Sequence, residues 1–416
     1  MKRFRYICAD AGIRIPGGKG ASIHVESVCR AFAEAGLTGE IFAMRADAPS
    51  LCGLPVRAMR LPDDDRTSDE RRETGLFLAG LDPKGIGEGR CDFIYERYSL
   101  WHVGGLAHAR KLGVPFILEV NSPLPDEARR FRNLANPALA ERVARLLLHE
   151  ADGIVCVSEE VADWVRRYRA SGDGVWVVPN GVDHRRFASG DGARRAGLVA
   201  SPAPLIAFSG SFRPWHGVYD LLDALRLLIE DHAEDAHLLC IGDGPLREPF
   251  ERRAGDLGIR DRVHLTGHVP HDEVAGWLRG CDVAVAPYPE LDRFYFSPLK
   301  IFEFMALGLP VVAADVGQVC RLVPHGERGW LYRAGSPEEL AGAIGRLLGR
   351  REDARRLGQA GRKWVLANAT WTKRVETILQ RIRGLTPARR PARPSRRSSS
   401  RQPVNRRGSF VARKAE

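Results

Sequence analysis

Residues 294–312 read FYFSPLKIFEFMALGLPVV and indicate a short helix with a charged residue inside it. Ser297 suits an N-cap, Pro298 suits the first helical position and Gly308 suits a left-handed stop. The helix between them is apolar on nearly every side, so it is expected to be buried. A buried carboxylate without a partner is costly, which makes Glu303 the residue that needs an explanation.

Two interpretations of this helix remain open. In the first, free N–H groups at its start bind a diphosphate, and Glu303, about one and a half turns further on, accepts hydrogen bonds from a ribose. In the second, the helix is an ordinary core element, and Glu303 pairs with an arginine.

Length and cysteine usage bound the class of protein. A chain of 416 residues is too long for one core and suggests two domains. Its eight cysteines are scattered singly, which argues for reduced thiols and against a zinc site or a disulfide framework. The N-terminus does not read as a signal peptide, and no apolar run is long enough to cross a membrane. We therefore expect a cytoplasmic protein with no metal.

The net charge of +11 belongs mostly to the end of the chain. Residues 386–416 contain ten Lys or Arg and one acidic residue, so they carry +9. This Pro-, Ser- and Arg-rich segment cannot form a core and is expected to be a disordered tail. It would either keep the chain soluble or attract it to the anionic inner face of a membrane. No nucleic acid is expected, because aromatic residues do not accompany the charge.

Short apolar runs alternate with helical patterns along the chain, which predicts parallel sheets with helices on both faces. The alternation breaks over 180–204, a segment rich in Gly, Ser and Ala that is typical of a connection between domains. We expect an α/β protein of two doubly wound, Rossmann-like domains facing a cleft, over 1–185 and 186–370. Ligands should bind where the strands end at that cleft.

The loop after the first strand, 12–20, contains Gly17 and Gly18 and leads into a helix that carries His24. The loop matches neither a Walker sequence nor a G-x-G-x-x-G sequence. Glycines allow close backbone approach to a ligand, although a plain connecting loop would look the same. His24 could likewise be a packed helix residue.

Three strand ends in the second domain are candidates for nucleotide binding. The first, GSFRPWHG at 210–217, places Arg213 and His216 three residues apart, where two cations could neutralise a departing diphosphate. Residues 241–245 and 267–270 could line a nucleotide with their backbones. Each could equally be an ordinary turn, and Arg213 a solvated side chain.

Together these motifs resemble glycosyltransferase family 4, in order and in spacing. The resemblance covers about residues 1–384 and implies retaining enzymes of the GT-B fold that use nucleotide-diphosphate sugars, generally without a metal or cofactor. It also implies that a C-terminal helix over 371–384 crosses back to the first domain. The motifs are VPNGVD (178–183), GSFRPWHGVYDLLDAL (210–225), IGDGPL (241–246), LTGHVPHDEV (265–274), CDVAVAP (281–287) and SPLKIFEFMALGLPVVA (297–313).

The resemblance assigns site residues to three roles. The catalytic set is Arg213, His216 and Glu303. The first domain would bind the acceptor through His24, Glu119 and Asn121. The donor would be held by Gly17, Gly18, Gly210, Arg213, His216, Gly242, Val269, Ser297, Pro298, Leu299, Lys300 and Glu303.

Three positions depart from the family pattern. Tyr295 stands where the first carboxylate of a Glu-seven-residues-Glu motif is expected, and Glu290 or Asp292 could substitute for it. His216 replaces the usual lysine, so activity should fall as pH rises through the imidazole pKa, normally about 6.5. Asn121 ends a strand that often carries a histidine.

The sequence therefore predicts a retaining transfer of a sugar from a nucleotide-diphosphate sugar to a hydroxyl group of a glycan, lipid-linked or small-molecule acceptor. Two alternatives remain open. One is a sugar-nucleotide epimerase of the same fold. The other is a non-catalytic member that only binds nucleotide sugars.

Overall fold

Two parallel β-sheets flanked by helices make up the structure, a computed structural model that describes residues 1–59, 68–87, 89–169, 171–187, 195, 197–199, 203–231 and 235–385. The larger sheet belongs to the first half of the chain and the smaller to the second half. The predicted tail, 386–416, lies outside the described residues, as does most of the predicted connection after residue 187.

The first sheet has eight strands in the order β10-β9-β8-β7-β1-β3-β6-β5, parallel throughout except for the β5–β6 pair. A separate parallel pair joins β2 to β4. The strands of this half are β1 (Arg3–Cys8), β2 (Arg14–Ile15), β3 (Thr38–Ala43), β4 (Arg45–Ala46), β5 (Ser50–Leu51), β6 (Leu54–Ala58), β7 (Phe93–Arg97), β8 (Phe116–Val120), β9 (Gly153–Cys156) and β10 (Val175–Val177). Its helices are α1 (Gly20–Glu34), α2 (Asp69–Gly80), α3 (Gly104–Leu112), α4 (Leu124–Phe131), α5 (Pro137–Glu150) and α6 (Glu159–Arg166).

The second sheet has six parallel strands in the order β13-β12-β11-β14-β15-β16. They are β11 (Leu205–Ser209), β12 (His237–Ile241), β13 (Val263–Leu265), β14 (Val283–Ala286), β15 (Val311–Ala314) and β16 (Trp330–Tyr332). The helices that follow them are α7 (Val218–Asp231), α8 (Arg247–Asp256), α9 (Val274–Leu278), α10 (Leu299–Leu307), α11 (Val319–Leu322), α12 (Pro337–Gly349), α13 (Arg351–Asn368) and α14 (Trp371–Arg383).

The strand orders show why ligands should bind at the cleft. In each sheet the first strand of the half, β1 or β11, lies in the middle, and later strands add on both sides of it. The loops after such a strand and its neighbour leave in opposite directions and open a crevice at the carboxyl ends. The two crevices face each other, since a Cβ on Gly20 would lie 3.8 Å from the Leu299 side chain.

The last helix, α14, packs against the first sheet although it follows the second. Its buried residues join the core that contains Phe4, Phe32 and Tyr95. The polar face of α14 is exposed, as its strongly amphipathic sequence requires. The predicted fold class, two doubly wound domains with a helix that crosses back, is confirmed. The residues of α14 that enter this core are Trp371, Val375, Ile378, Leu379 and Ile382.

Several helices and strands of the structure carry too little sequence signal to be predicted. Helix α13 buries only small or spaced apolar residues along one side and is otherwise charged, so its sequence carries a weak apolar pattern. Strands β10 and β16 have three residues each, too few for a periodic signal. Among the described residues no helix is both long and apolar enough to cross a membrane.

The packing of α14 gives a first prediction. Leu379→Ala should destabilise the protein by about 2–5 kcal/mol, because it leaves a cavity in a core where the side chain is buried. Gln380→Ala, at the exposed neighbouring position, is the matched control and should cost little. Urea unfolding of both variants measures the difference. Equal losses would mean that α14 does not complete the first core.

Candidate functional site

The start of α10 is fixed by hydrogen bonds from distant parts of the chain. The Asn180 backbone N–H donates to Ser297 Oγ at 2.9 Å, and Asn180 Nδ2 donates to the Ser297 carbonyl oxygen at 2.9 Å. Ser158 Oγ donates to the Tyr295 carbonyl at 3.0 Å. Gln318 Nε2 donates to the Phe296 carbonyl at 2.8 Å. These bonds hold the approach to α10 against both domains.

They also correct the predicted cap. The cap position is Pro298, which makes no side-chain cap bond, and the helix begins at Leu299. Ser297 lies one residue before the cap position, and its hydroxyl accepts the Asn180 N–H instead. The predicted end is confirmed, since Gly308 has a left-handed φ of 76°. The first N–H groups of α10 keep no side-chain cap, which leaves them available to an anion.

Two glycines and one lysine lie together where β11 and β12 end. Gly210 and Gly242 have φ values of +146° and +138°. A Cβ on Gly242 would lie 2.1 Å from the Gly210 carbonyl oxygen, and a Cβ on Gly210 would lie 2.8 Å from Lys300 Nζ. Side chains at either position would therefore close the space in front of the ammonium group.

Lys300 is a buried cation to which the described residues offer no hydrogen-bond partner. Its ammonium lies 4.2 Å from the ring centroid of Phe208 and 5.4 Å from that of Tyr288. Burial lowers the pKa of Lys300 to about 7, although Glu303 acts in the opposite direction. An amine held in this way gains a partner when an anion enters.

His216 is held by its Nδ1 atom, 2.5 Å from the Ser211 carbonyl oxygen. A carbonyl can only accept, so Nδ1 carries the proton. Burial, Lys300 and Arg213 lower the pKa of His216 to about 3. The lowered pKa makes the imidazole neutral at pH 7 in the ligand-free protein, and the predicted pH dependence of activity, which concerns the donor complex, stays a prediction. The titrating cation at this place is Lys300. Arg213 itself is exposed, with its guanidinium carbon 5.7 Å from the ring centroid of Trp215.

Glu303 pairs with a histidine and not with an arginine. Its Oε1 lies 2.8 Å from His271 Nε2. Arg186 Nη1 contacts His271 Nδ1 at 3.1 Å, and Arg186 in turn pairs with Glu26 on α1. Since arginine can only donate, Nδ1 accepts and Nε2–H donates to Glu303. The chain of contacts runs from α10 through the connection between the domains to α1.

The glycine loop of the first domain reaches the second domain beside this site. A Cβ on Gly18 would lie 3.0 Å from the His268 ring, and a Cβ on Gly17 would lie 2.8 Å from the Arg14 carbonyl oxygen. Val269 follows His268 and is partly buried against the second core. The structure thus brings the predicted loop and the strand end after β13 together, with little space between them.

The three predicted acceptor residues form one buried cluster in the first domain. Glu119 accepts from Tyr95 Oη at 2.7 Å and from Asn121 Nδ2 at 2.7 Å. His24 Nε2 lies 2.6 Å from its Oε1, and Arg97 Nη1 lies 3.3 Å away. Burial acts to raise the pKa of Glu119, but these partners lower it to about 2. Glu119 and His24 are enclosed, whereas Asn121 is partly exposed. Their acceptor role stays a prediction.

Tyr295, at the position of the expected carboxylate, meets a carboxylate from the other domain. Its hydroxyl donates to Glu127 Oε2 on α4 at 3.3 Å. Of the two proposed substitutes, Glu290 is exposed, and Asp292 pairs with Arg130 at 3.4 Å. Glu127 had no predicted role, because its contact with Tyr295 spans 168 residues and leaves no local pattern.

His268 and His271 also had no predicted role, although both lie in the quoted motif LTGHVPHDEV. The spacing of the two histidines could have raised them as candidates. Within the described parts of the chain, no group of three or more His, Cys, Asp or Glu side chains is arranged to hold a metal ion.

Comparison with known proteins identifies the family and the fold. A family model described as Glycosyltransferase Family 4 matches residues 18–186, and one described as Glycosyl transferases group 1 matches residues 203–350. HepE from Anabaena, solved in complex with UDP-glucose, superposes with a TM-score of 0.71 at 16% identity, over 92% of this chain and 100% of that one. The fold is that of the GT-B glycosyltransferases.

Two curated relatives show the family to which the chain belongs. D-inositol 3-phosphate glycosyltransferase from Geodermatophilus obscurus is 30% identical over 86% of this chain and 83% of its own. The enzyme of the same name from Nocardia farcinica is 33% identical over 62% of this chain, and the match spans only 60% of that relative. The chain belongs to glycosyltransferase family 4 and is a glycosyltransferase.

The buried amine gives a second prediction. Between about pH 7 and 10 the unfolded chain, with an ordinary lysine pKa of about 10.4, binds a proton at Lys300 that the folded chain has lost. The unfavourable contribution of Lys300 to the free energy of unfolding should therefore shrink, and the protein become more stable, as pH rises through this window. Urea unfolding of the wild type and Lys300→Met at pH 7 and pH 9 isolates this gain, because all other groups are shared. Identical pH dependence in both proteins would contradict the lowered pKa.

Proposed function

We propose that the protein transfers a sugar, with retention, from a nucleotide-diphosphate sugar to a hydroxyl group of a glycan, lipid-linked or small-molecule acceptor. The observation that carries this proposal is the buried, unpartnered Lys300 ammonium beside Gly210, Gly242 and the uncapped start of α10. A diphosphate is the group that would satisfy both the cation and the free N–H groups. The similar fold of HepE, which was solved with UDP-glucose bound, supports the same class of donor.

In this reaction the bond between C1 of the sugar and the leaving phosphate oxygen breaks, and a new bond from C1 to the acceptor oxygen forms on the same face. The acceptor hydroxyl proton passes to the leaving diphosphate, so no protein nucleophile, metal or cofactor is required. Lys300 and Arg213 would stabilise the charge that grows on the diphosphate. His216, neutral in the free protein, would hold the loop through its Nδ1–H bond to Ser211.

Glu303 would hold the ribose, oriented by the His271 Nε2–H group. An ionised carboxylate has about four acceptor lone pairs, so Glu303 can accept a ribose hydroxyl group in addition to His271. Transfer is favoured over epimerisation because both curated relatives are named transferases. Conversion of a nucleotide sugar without any acceptor would instead identify an epimerase, and binding without turnover would identify a non-catalytic member.

Donor binding is tested with UDP, GDP and ADP by thermal shift and calorimetry, since a ligand of the native state raises its stability. Glu303→Gln should weaken binding of the preferred diphosphate by about 1–3 kcal/mol, the range for a hydrogen bond to a charged group. Lys300→Met should weaken it as well, and Glu248→Gln, at an exposed carboxylate, should not. Wild-type affinity in both site variants would contradict the proposal.

The affinity of the wild type should also depend on pH. A bound diphosphate raises the pKa of Lys300 above its free value of about 7, so binding takes up a proton. Affinity should fall as pH rises from about 7 to the pKa of the complex. Lys300→Met should lack this alkaline fall. A diphosphate affinity that is flat from pH 7 to 9 in the wild type would exclude this role for Lys300.

A finer proposal concerns residues 386–416, whose charge is +9. We propose that they bring the chain to an anionic membrane surface, where each basic residue contributes up to about 1 kcal/mol. Deleting them should abolish salt-sensitive binding to vesicles that contain anionic lipid and should leave turnover on a soluble acceptor unchanged. Equal vesicle binding with and without the segment would contradict this.

A further inference from the structure

A pocket lies between the two domains next to the proposed diphosphate site. It has a cavity volume of about 210 Å³. Trp215 in its wall is the residue before His216, and Tyr295 lies two residues before Ser297, so the pocket adjoins the start of α10. We call it the α4 pocket, because one wall is α4 and the other comes from the second domain. The residues used below are Glu127, Arg130, Phe131, Trp215, Asp292 and Tyr295.

The α4 pocket has an aromatic pair with one ring from each domain. The ring centroids of Phe131 and Trp215 are 5.5 Å apart, with an angle of 57° between the ring planes. Phe131 is nevertheless 45% exposed, so the pair leaves apolar surface open to a ligand. The faces of aromatic rings are electron-rich and attract the polarised C–H groups on one face of a sugar ring. An exposed pair of this kind beside a glycosyltransferase site suits a carbohydrate.

Several polar groups that line the pocket already have partners. Arg130 lies 3.4 Å from Asp292, and Glu127 lies 3.2 Å from Arg132 while it accepts the Tyr295 hydroxyl. Three carboxylates and two guanidinium groups line the pocket, so its formal charge is −1. This charge disfavours a phosphate group, whereas carboxylate oxygens accept hydrogen bonds from neutral hydroxyl groups.

We infer that the α4 pocket is the acceptor subsite and takes a neutral sugar ring, stacked against Trp215 and Phe131 with hydroxyl groups on Glu127. This inference rests on the transferase function proposed above. It sets this chain apart from relatives whose name specifies inositol 3-phosphate, because an acceptor with a phosphate would meet a pocket of negative charge. One wall of the pocket is α4 of the first domain, the domain expected to bind the acceptor, and this assigns the pocket to the acceptor.

The test uses saturation-transfer NMR with the full chain and a saturating nucleoside diphosphate. The probes are methyl α-D-glucopyranoside, methyl α-D-mannopyranoside and D-myo-inositol 3-phosphate. At least one neutral glycoside should bind. Trp215→Ala and Phe131→Ala should each weaken it roughly tenfold, about the value of a good aromatic contact. Trp215→Phe should retain most of the affinity.

Leu146→Ala is the matched control, because Leu146 is 46% exposed and lies on α5, outside the pocket. Each Ala variant must still bind the diphosphate with wild-type affinity, which shows that it is folded. Binding of the inositol phosphate without either neutral glycoside would overturn the inference, and so would glycoside binding that both Ala variants leave unchanged. Diphosphate binding by the wild type with no glycoside bound would refute the acceptor subsite alone. A wild type that binds no nucleoside diphosphate would refute the proposed function.

Discussion

The two hydrogen bonds between Asn180 and Ser297 fix the geometry on which the rest of the site depends. They tie the connection between the domains to the residue before α10. Asn180 also accepts a hydrogen bond through its carbonyl from Arg374 on α14, at 3.2 Å. Three segments that are far apart in sequence therefore converge at one asparagine. A polar group buried there without its partners would be costly, so the three segments specify each other.

This arrangement allows the protein to keep Lys300 in an unfavourable place. A buried ammonium without a hydrogen-bonded counterion lowers the stability of the free protein, and among the described residues only the rings of Phe208 and Tyr288 and the charge of Glu303 offset that cost. The close approach of Gly210 and Gly242 leaves the backbone around Lys300 little room to move. Functional sites commonly keep such a local cost, which a bound ligand then relieves. The cost of burying Lys300 is greatest in the ligand-free state, so an anion that binds there relieves it, and this relief strengthens binding.

The sequence predicted the strands and the fold class better than the contacts between side chains. Short apolar runs such as 205–209 and 237–241, which the alternating pattern predicts as strands, are strands in the structure, because they are too short for helices and end at glycines. The same runs indicated that Gly210, Gly242 and α10 lie at one edge of a sheet. Family 4 membership and the fold class were likewise accessible from motif order.

The sequence could not predict which side chains form hydrogen bonds and ion pairs with the site residues. One of the two open interpretations paired Glu303 with an arginine, whereas the structure pairs it with His271. The expected cap at Ser297 became a bond to Asn180, 117 residues away. The pKa of His216 depends on burial and on Lys300, neither of which a local pattern reveals. Contacts across the cleft, such as Tyr295 to Glu127, depend on how two separately patterned domains meet.

The position of α14 has a consequence for synthesis on the ribosome. The face of the first sheet that receives Val375 and Leu379 is made early, but its cover follows all the strands of the second sheet in the chain. Until then the nascent first domain presents an open apolar surface while the second domain is still emerging. Such surfaces are where nascent chains aggregate or recruit chaperones. The order of translation therefore delays completion of the first domain until the second domain and α14 have left the exit tunnel.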